Sequence, residues 1–283
     1  MIYLDSAATS FLKPPGVKAA MMYAMDTMSS PGRGAYNAAM LAADKVYECR
    51  ELACRLFNFN KPERVVFTLN ATHALNIAIK SLARRETRVV ISGYEHNSVT
   101  RPLHDISADV SVAAGELFDP DSVLAAFEEK IPGADLVVCN HVSNVFGFIQ
   151  PVYEIAEMCR RAGVPFILDA SQSAGVLEVD YQALGAAFIA MPGHKALFGP
   201  QGTGILICGV EGEPLLSGGS GTAVVYDLSG LSFSPQIKIE GDTDEDALIR
   251  KLRDLEPEFI DFILEALSRR EGGAYVTADS RLY

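Results

Sequence analysis

Seven short apolar runs recur between residues 65 and 208 of this chain, and stretches of helical pattern lie between most of them. The runs fall at 65–68, 88–92, 110–113, 135–139, 164–169, 186–191 and 203–208. Each is short for a helix and has no polar face, as a strand covered from both sides requires. Helical segments at 71–84, 121–130 and 152–162 fit between strands, and two more, at 15–28 and 36–57, precede the first. Strands alternating with helices predict a three-layer α/β/α domain around a mainly parallel seven-stranded sheet. With 283 residues, 49% of them apolar, the chain has enough core to build it.

Polar residues then gather where the runs end. Asp169 closes the run Val164, Pro165, Phe166, Ile167, Leu168. Lys195 follows Met191, Pro192, Gly193 and His194, just past the next run. If both runs are strands of one sheet, both charges emerge at carboxyl ends, where open α/β sheets place their ligands. Taken singly, an acid at a strand end is often a helix cap, and a lysine after Gly-His is often a surface lysine. Together they meet the needs of pyridoxal 5'-phosphate (PLP): the lysine holds the aldehyde as a Schiff base, and the acid pairs with the pyridine nitrogen.

Four other pieces fit the same ligand. The strand ending at Thr68 runs through Leu69, Asn70, Ala71 and Thr72 into an apolar helix, whose free N–H groups and Thr72 hydroxyl suit a phosphate. His96, in Glu95, His96, Asn97, Ser98, could lie flat on an aromatic ring. Asn140, His141, Val142, Ser143 and Asn144 follow another strand. Gln172, three residues past Asp169, could reach the cofactor's phenolic oxygen. Five strand ends with polar residues on one rim exceed what helix capping alone explains.

These segments, in this order, resemble the cysteine desulfurase and selenocysteine lyase group of fold-type I PLP enzymes, the class V aminotransferases. Further matching stretches are Tyr3, Leu4, Asp5, Ser6, Ala7, Ala8, Thr9; Pro31, Gly32, Arg33, Gly34; Asp169 to Gly175 with Ser171, Ser173 and Ala174; Gly199, Pro200, Gln201, Gly202, Thr203, Gly204; and Gly218, Gly219, Ser220, Gly221, Thr222. The resemblance covers residues 1–222. It implies a PLP-binding large domain over that span and desulfuration of cysteine or selenocysteine to alanine. Lys195 would bind the cofactor and move protons at the substrate carbons, with His96 stacked on the ring and able to share in proton transfer. Asp169 would hold the ring nitrogen, Gln172 the ring oxygen, and Asn144 would face ring and substrate. Ala71, Thr72 and His194 would hold the phosphate, and Thr222 would reach the phosphate of a second copy, which makes a homodimer with shared sites the expected assembly.

The pattern departs from the family in places. His73 stands where an acid usually follows the threonine of the phosphate loop, and Pro192 stands three before the lysine, where a serine is common. Residues 223–283 read as an irregular linker and two charged helices. They do not resemble the small C-terminal domain that in relatives carries the sulfur-accepting cysteine and the carboxylate-binding arginine. Two alternatives follow: a PLP-binding paralogue or remnant acting through protein contacts, or a class V aminotransferase or other PLP lyase. A net charge of −12 argues against nucleic acid and anionic membranes as partners. The five cysteines have no metal-ligand spacing, so no metal is expected. Without a basic leader or a run long enough to span a bilayer, the expectation is a cytoplasmic protein with an amino-acid substrate and a possible sulfur-acceptor protein.

Overall fold

The computed structural model describes residues 2–31 and 36–216. Their elements are α1 (Pro15–Thr27), α2 (Asn37–Leu56), β1 (Val65–Thr68), α3 (Ala71–Leu82), β2 (Arg88–Ser92), α4 (Asn97–Asp105) and β3 (Asp109–Ala113). Then come α5 (Pro120–Lys130), β4 (Leu136–Asn140), α6 (Val152–Ala162), β5 (Phe166–Asp169), α7 (Tyr181–Leu184), β6 (Phe188–Pro192) and β7 (Gly204–Cys208). The expected helical tail, the domain boundary at 222, Thr222, and Gly32, Arg33 and Gly34 lie outside the described residues.

All seven strands join one sheet in the order β1-β7-β6-β5-β4-β2-β3. Strands β3, β2, β4, β5 and β6 pair in parallel, whereas β7 runs antiparallel to both β6 and β1. One reversed strand in seven is the mainly parallel sheet expected, and the reversal has a local cause. Residues 193–203 return the chain beside β6 without a crossover helix, and an immediate return pairs antiparallel.

Alternate strand residues feed two cores, which makes three layers. On one face Val90, Val137, Cys139, Leu168, Ile189 and Ile207 pack with α2, α5, α6 and α7 through Ala53, Phe127, Ile155 and Leu184. On the other, Val89, Val138, Ile167, Phe188 and Leu206 pack with α3 and α4 through Leu75, Ile79, Val99 and Leu103. Burial on both faces is why the strands lack the polar alternation of a half-exposed sheet.

The register sets one rim. Asn140 pairs with Asp169, and Asp169 with Ala190, so the carboxyl ends of β4, β5 and β6 lie side by side. Gly204, the first residue of β7, pairs with Pro192 of β6 and Thr68 of β1, bringing the end of β1 to the same rim. Only a glycine fits between them: a Cβ there would sit 2.6 Å from Thr68 Oγ1 and 2.9 Å from the Asn70 carbonyl carbon.

Candidate active site

A cleft opens along this rim, with an empty volume of about 610 Å³ including its mouth. Its lining includes Ala71, Thr72, His96, Asn144, Asp169, Gln172, His194 and Lys195, which are all of the expected site residues within the described part of the chain. They come from five separate segments, the end of β1, β2, β4, β5 and β6 each delivering at least one. Asn70, Ser98, Asn140, Val142, Ser171 and Pro192 complete the lining.

Asp169 is buried at the last position of β5, 4% exposed. Its Oδ1 accepts the Ser171 N–H at 2.9 Å and the Ser171 hydroxyl. Both bonds fall on Oδ1, so among the described residues Oδ2 is left for a partner in the cleft. Burial pushes the Asp169 pKa up, while the Ser171 bonds and the charge of Lys195 pull against it. Lys195 is half-buried, and burial lowers its pKa against the opposing pull of Asp169. Each group thus feels the other's charge, and each is driven toward its neutral form when alone.

The loop that carries the lysine is tied at both ends. Gly193 N–H donates to Thr203 O at 2.8 Å, and Gly199 N–H closes back on Gly193 O at 2.7 Å. Gly175, at φ +89°, lets the turn after β5 approach the loop, since a Cβ there would stand 2.7 Å from Ala196 O. The N-terminal stretch lies across the same loop: Thr9, Ser10 and Lys13 bond to His194, and Gln172 Nε2 donates to Ala7 O at 3.0 Å.

The phosphate expectation rests on the start of α3. Asn70 caps the helix, its side chain accepting the His73 N–H at 2.8 Å, which leaves the Ala71 and Thr72 N–H groups for an anion. His73, where relatives carry an acid, folds back to accept the Leu69 N–H at 3.3 Å. Thr72 Oγ1 lies 2.8 Å from Ser98 Oγ, and Ser98 Oγ lies 2.8 Å from His96 Nδ1. His96 is the N-cap of α4, and its Nδ1 accepts the Ser98 N–H at 3.1 Å. Nδ1 is therefore unprotonated and Nε2 carries the ring proton. The histidine is a cap and a cleft residue at once.

Sequence reasoning gave no role to Glu95, yet its carboxyl group is buried where β2 and β4 end. Its Oε1 accepts the Asn140 N–H at 2.9 Å and the Ser92 hydroxyl, while Oε2 is buried and without a partner among the described residues. Burial pushes its pKa up to about 8. Its place beside His96 was visible in the sequence, but its burial was not. No group of three or more metal-ligating side chains occurs among the described residues.

Comparisons with known proteins agree with this geometry. The sequence pattern of the aminotransferase class-V family matches residues 2–243. A probable cysteine desulfurase of Methanothermobacter thermautotrophicus is 38% identical over 239 residues, covering 81% of this chain and 58% of that protein. The apo structure of a cysteine desulfurase from Thermococcus onnurineus NA1 superposes with a TM-score of 0.71 at 33% identity, covering 77% of this chain and 57% of that one. A structure of SspA in complex with cysteine has a TM-score of 0.68 at 28% identity, over 77% of this chain and 65% of that one. The chain thus spans a little over half the length of the curated relative and of the desulfurase structure it matches. Since every strand end that lines the cleft falls within residues 2–243, fold and sequence lead to one conclusion: the chain belongs to the class-V aminotransferase family.

Proposed function

We propose that the chain binds PLP in this cleft and removes sulfur or selenium from cysteine or selenocysteine, leaving alanine. The observation that carries the reading is Asp169, a buried carboxylate with one oxygen unbonded among the described residues, in the same cleft as the half-buried Lys195. A buried carboxylate is costly unless a cation meets it, and a protonated pyridine nitrogen is such a cation. When bound, the cofactor supplies an electron sink for negative charge developing at the substrate carbons.

The residues divide the remaining work. Ala71, Thr72 and His194 would hold the phosphate, His96 the ring face, and Asn144 the side toward the substrate. Gln172 keeps a second N–H for the ring oxygen, because its amide has two donors and Ala7 takes one. Lys195 would take the cofactor's aldehyde at rest and carry protons at the substrate carbons, for which an amine favoured neutral by burial is suited. Thr222 would serve the phosphate of a second copy in a homodimer. Cys54, Cys139, Cys159 and Cys208 are buried and Cys49 lies on α2, with none lining the cleft, so the sulfur would pass to a thiol outside these residues. Five free thiols suit a reducing compartment such as the cytoplasm.

The test is incubation of purified protein with PLP and L-cysteine or L-selenocysteine. The expected result is a yellow chromophore that borohydride bleaches and fixes on Lys195, alanine as product, and no alanine from Lys195→Ala. A chromophore without alanine would leave a cofactor-binding paralogue, and a keto acid in place of alanine would mean transamination. No chromophore at all would end the reading.

A further inference from the structure

The N-terminal stretch brings more donors to the His194 carbonyl than it can use. That oxygen lies 3.0 Å from Ser10 N, 2.9 Å from Ser10 Oγ, 3.0 Å from Thr9 Oγ1 and 3.2 Å from Lys13 Nζ. A carbonyl oxygen has two lone pairs, and the Ser10 N–H and hydroxyl, which have no other acceptor among the described residues, take them. Lys13 is pinned at the same spot by Ser10 O at 2.9 Å and Ser10 Oγ at 2.6 Å. Thr9 therefore has a hydroxyl proton that the carbonyl does not need, and His194 Nδ1 stands 2.9 Å from its oxygen.

The bond made by one imidazole nitrogen decides which nitrogen carries the proton. With Thr9 donating to Nδ1, the proton of the neutral ring sits on Nε2. Nδ1 is turned to Thr9, so Nε2 is the nitrogen available to the cleft that His194 lines. The opposite tautomer would face an anion with a lone pair. Burial, then the charges of Lys195 and Lys13, lowers the His194 pKa, so the ring is not simply doubly protonated.

We infer that Thr9, with Ser10 satisfying the neighbouring carbonyl, is a positioning residue that fixes His194 as an Nε2–H donor toward the phosphate of the cofactor. The direction toward phosphate rests on the PLP reading above, whereas the tautomer does not. Two measurements separate them. In full-length protein labelled with 15N-histidine, with His194 assigned by the resonance lost in His194→Gln, wild type should show the Nε2–H form and Thr9→Val a mixture of tautomers. An Nδ1–H ring or an imidazolium in wild type at neutral pH overturns the inference.

The second measurement titrates dialysed protein with PLP and, separately, with pyridoxal, which lacks the phosphate. Thr9→Val should weaken PLP binding by roughly tenfold, the scale of one hydrogen bond to a charged group, and leave pyridoxal unchanged. Thr9→Ser should restore wild-type PLP binding. Equal losses for both ligands, or none for PLP, overturn the inference while wild-type PLP binding keeps the functional reading intact. Wild type that binds neither overturns both.

Discussion

At the scale of single residues, the rim carries more buried acid than the chemistry explains. Asp169 has a use for its free oxygen, but Glu95 Oε2 has no partner among the described residues. With its pKa raised from 4.5 to about 8, Glu95 in the folded state holds a proton that the unfolded chain releases. Below pH 4.5 both states are protonated and the residue is neutral to stability. As pH rises from there to about 8, folding must keep the proton or bury the charge, so stability falls across that window and the loss is complete above it. Glu95→Gln keeps an acceptor oxygen for Ser92 and Asn140 and cannot ionise. Its unfolding free energy in urea should therefore gain steadily on that of wild type between pH 5 and 8, with the variant ahead by a few kcal/mol at pH 8. Parallel pH curves for the two proteins would show that the carboxyl is not protonated in the fold. Asp169 shows how a sequence signal divides: capping by Ser171 uses Oδ1, which is the ordinary reading of an acid at a strand end, and Oδ2 remains for function.

At the scale of elements, the reversed strand β7 sets the width of the site, because its first residue is wedged between the ends of β1 and β6. Gly204→Ala would press a Cβ on Thr68 Oγ1 and on the Asn70 backbone, so the Asn70 cap and the first N–H groups of α3 must shift. The expected cost is ~1–3 kcal/mol of stability in urea denaturation, as for other overpacked sites, together with weaker PLP binding. Gly133→Ala, with open space around its Cβ, should change neither. Loss of stability with unchanged PLP affinity would separate β7 from the phosphate end. Much of this layout was legible in the sequence: β1, β2 and α6 have the bounds that pattern alone predicts, and the other elements expected within the described residues differ by a residue or two at their ends. The direction of β7 was not legible, since an all-apolar run looks the same in either sense. Helix α4 was missed because it is only nine residues long and has Pro102 inside it, a residue that ordinarily ends a helix. The cleft was readable because its residues sit at strand ends, whereas Glu95 and the Thr9 contact to His194 depend on three-dimensional neighbours 45 and 185 positions away in sequence.

At the scale of the molecule, α1 is the element with least reason to stand alone. None of its 13 residues is buried, and it exposes Met21, Met22, Tyr23 and Met25, the last at 78%. It has no acidic residue in its first turn, no basic residue in its last and no side-chain cap. Helices of this length are marginal in water without tertiary packing, so its stability must come from something laid against these side chains. The proposed homodimer supplies a second copy. Sedimentation over a range of concentrations should then show a dimer, and Met21→Glu with Met25→Glu should shift the equilibrium toward monomer. Amide exchange should quicken across α1 in the same variant and in dilute wild type, with the strands around Asp169 still protected. A monomer at every concentration with α1 protected would mean that the helix holds without a second copy, and the shared-site assembly would lose its physical motive.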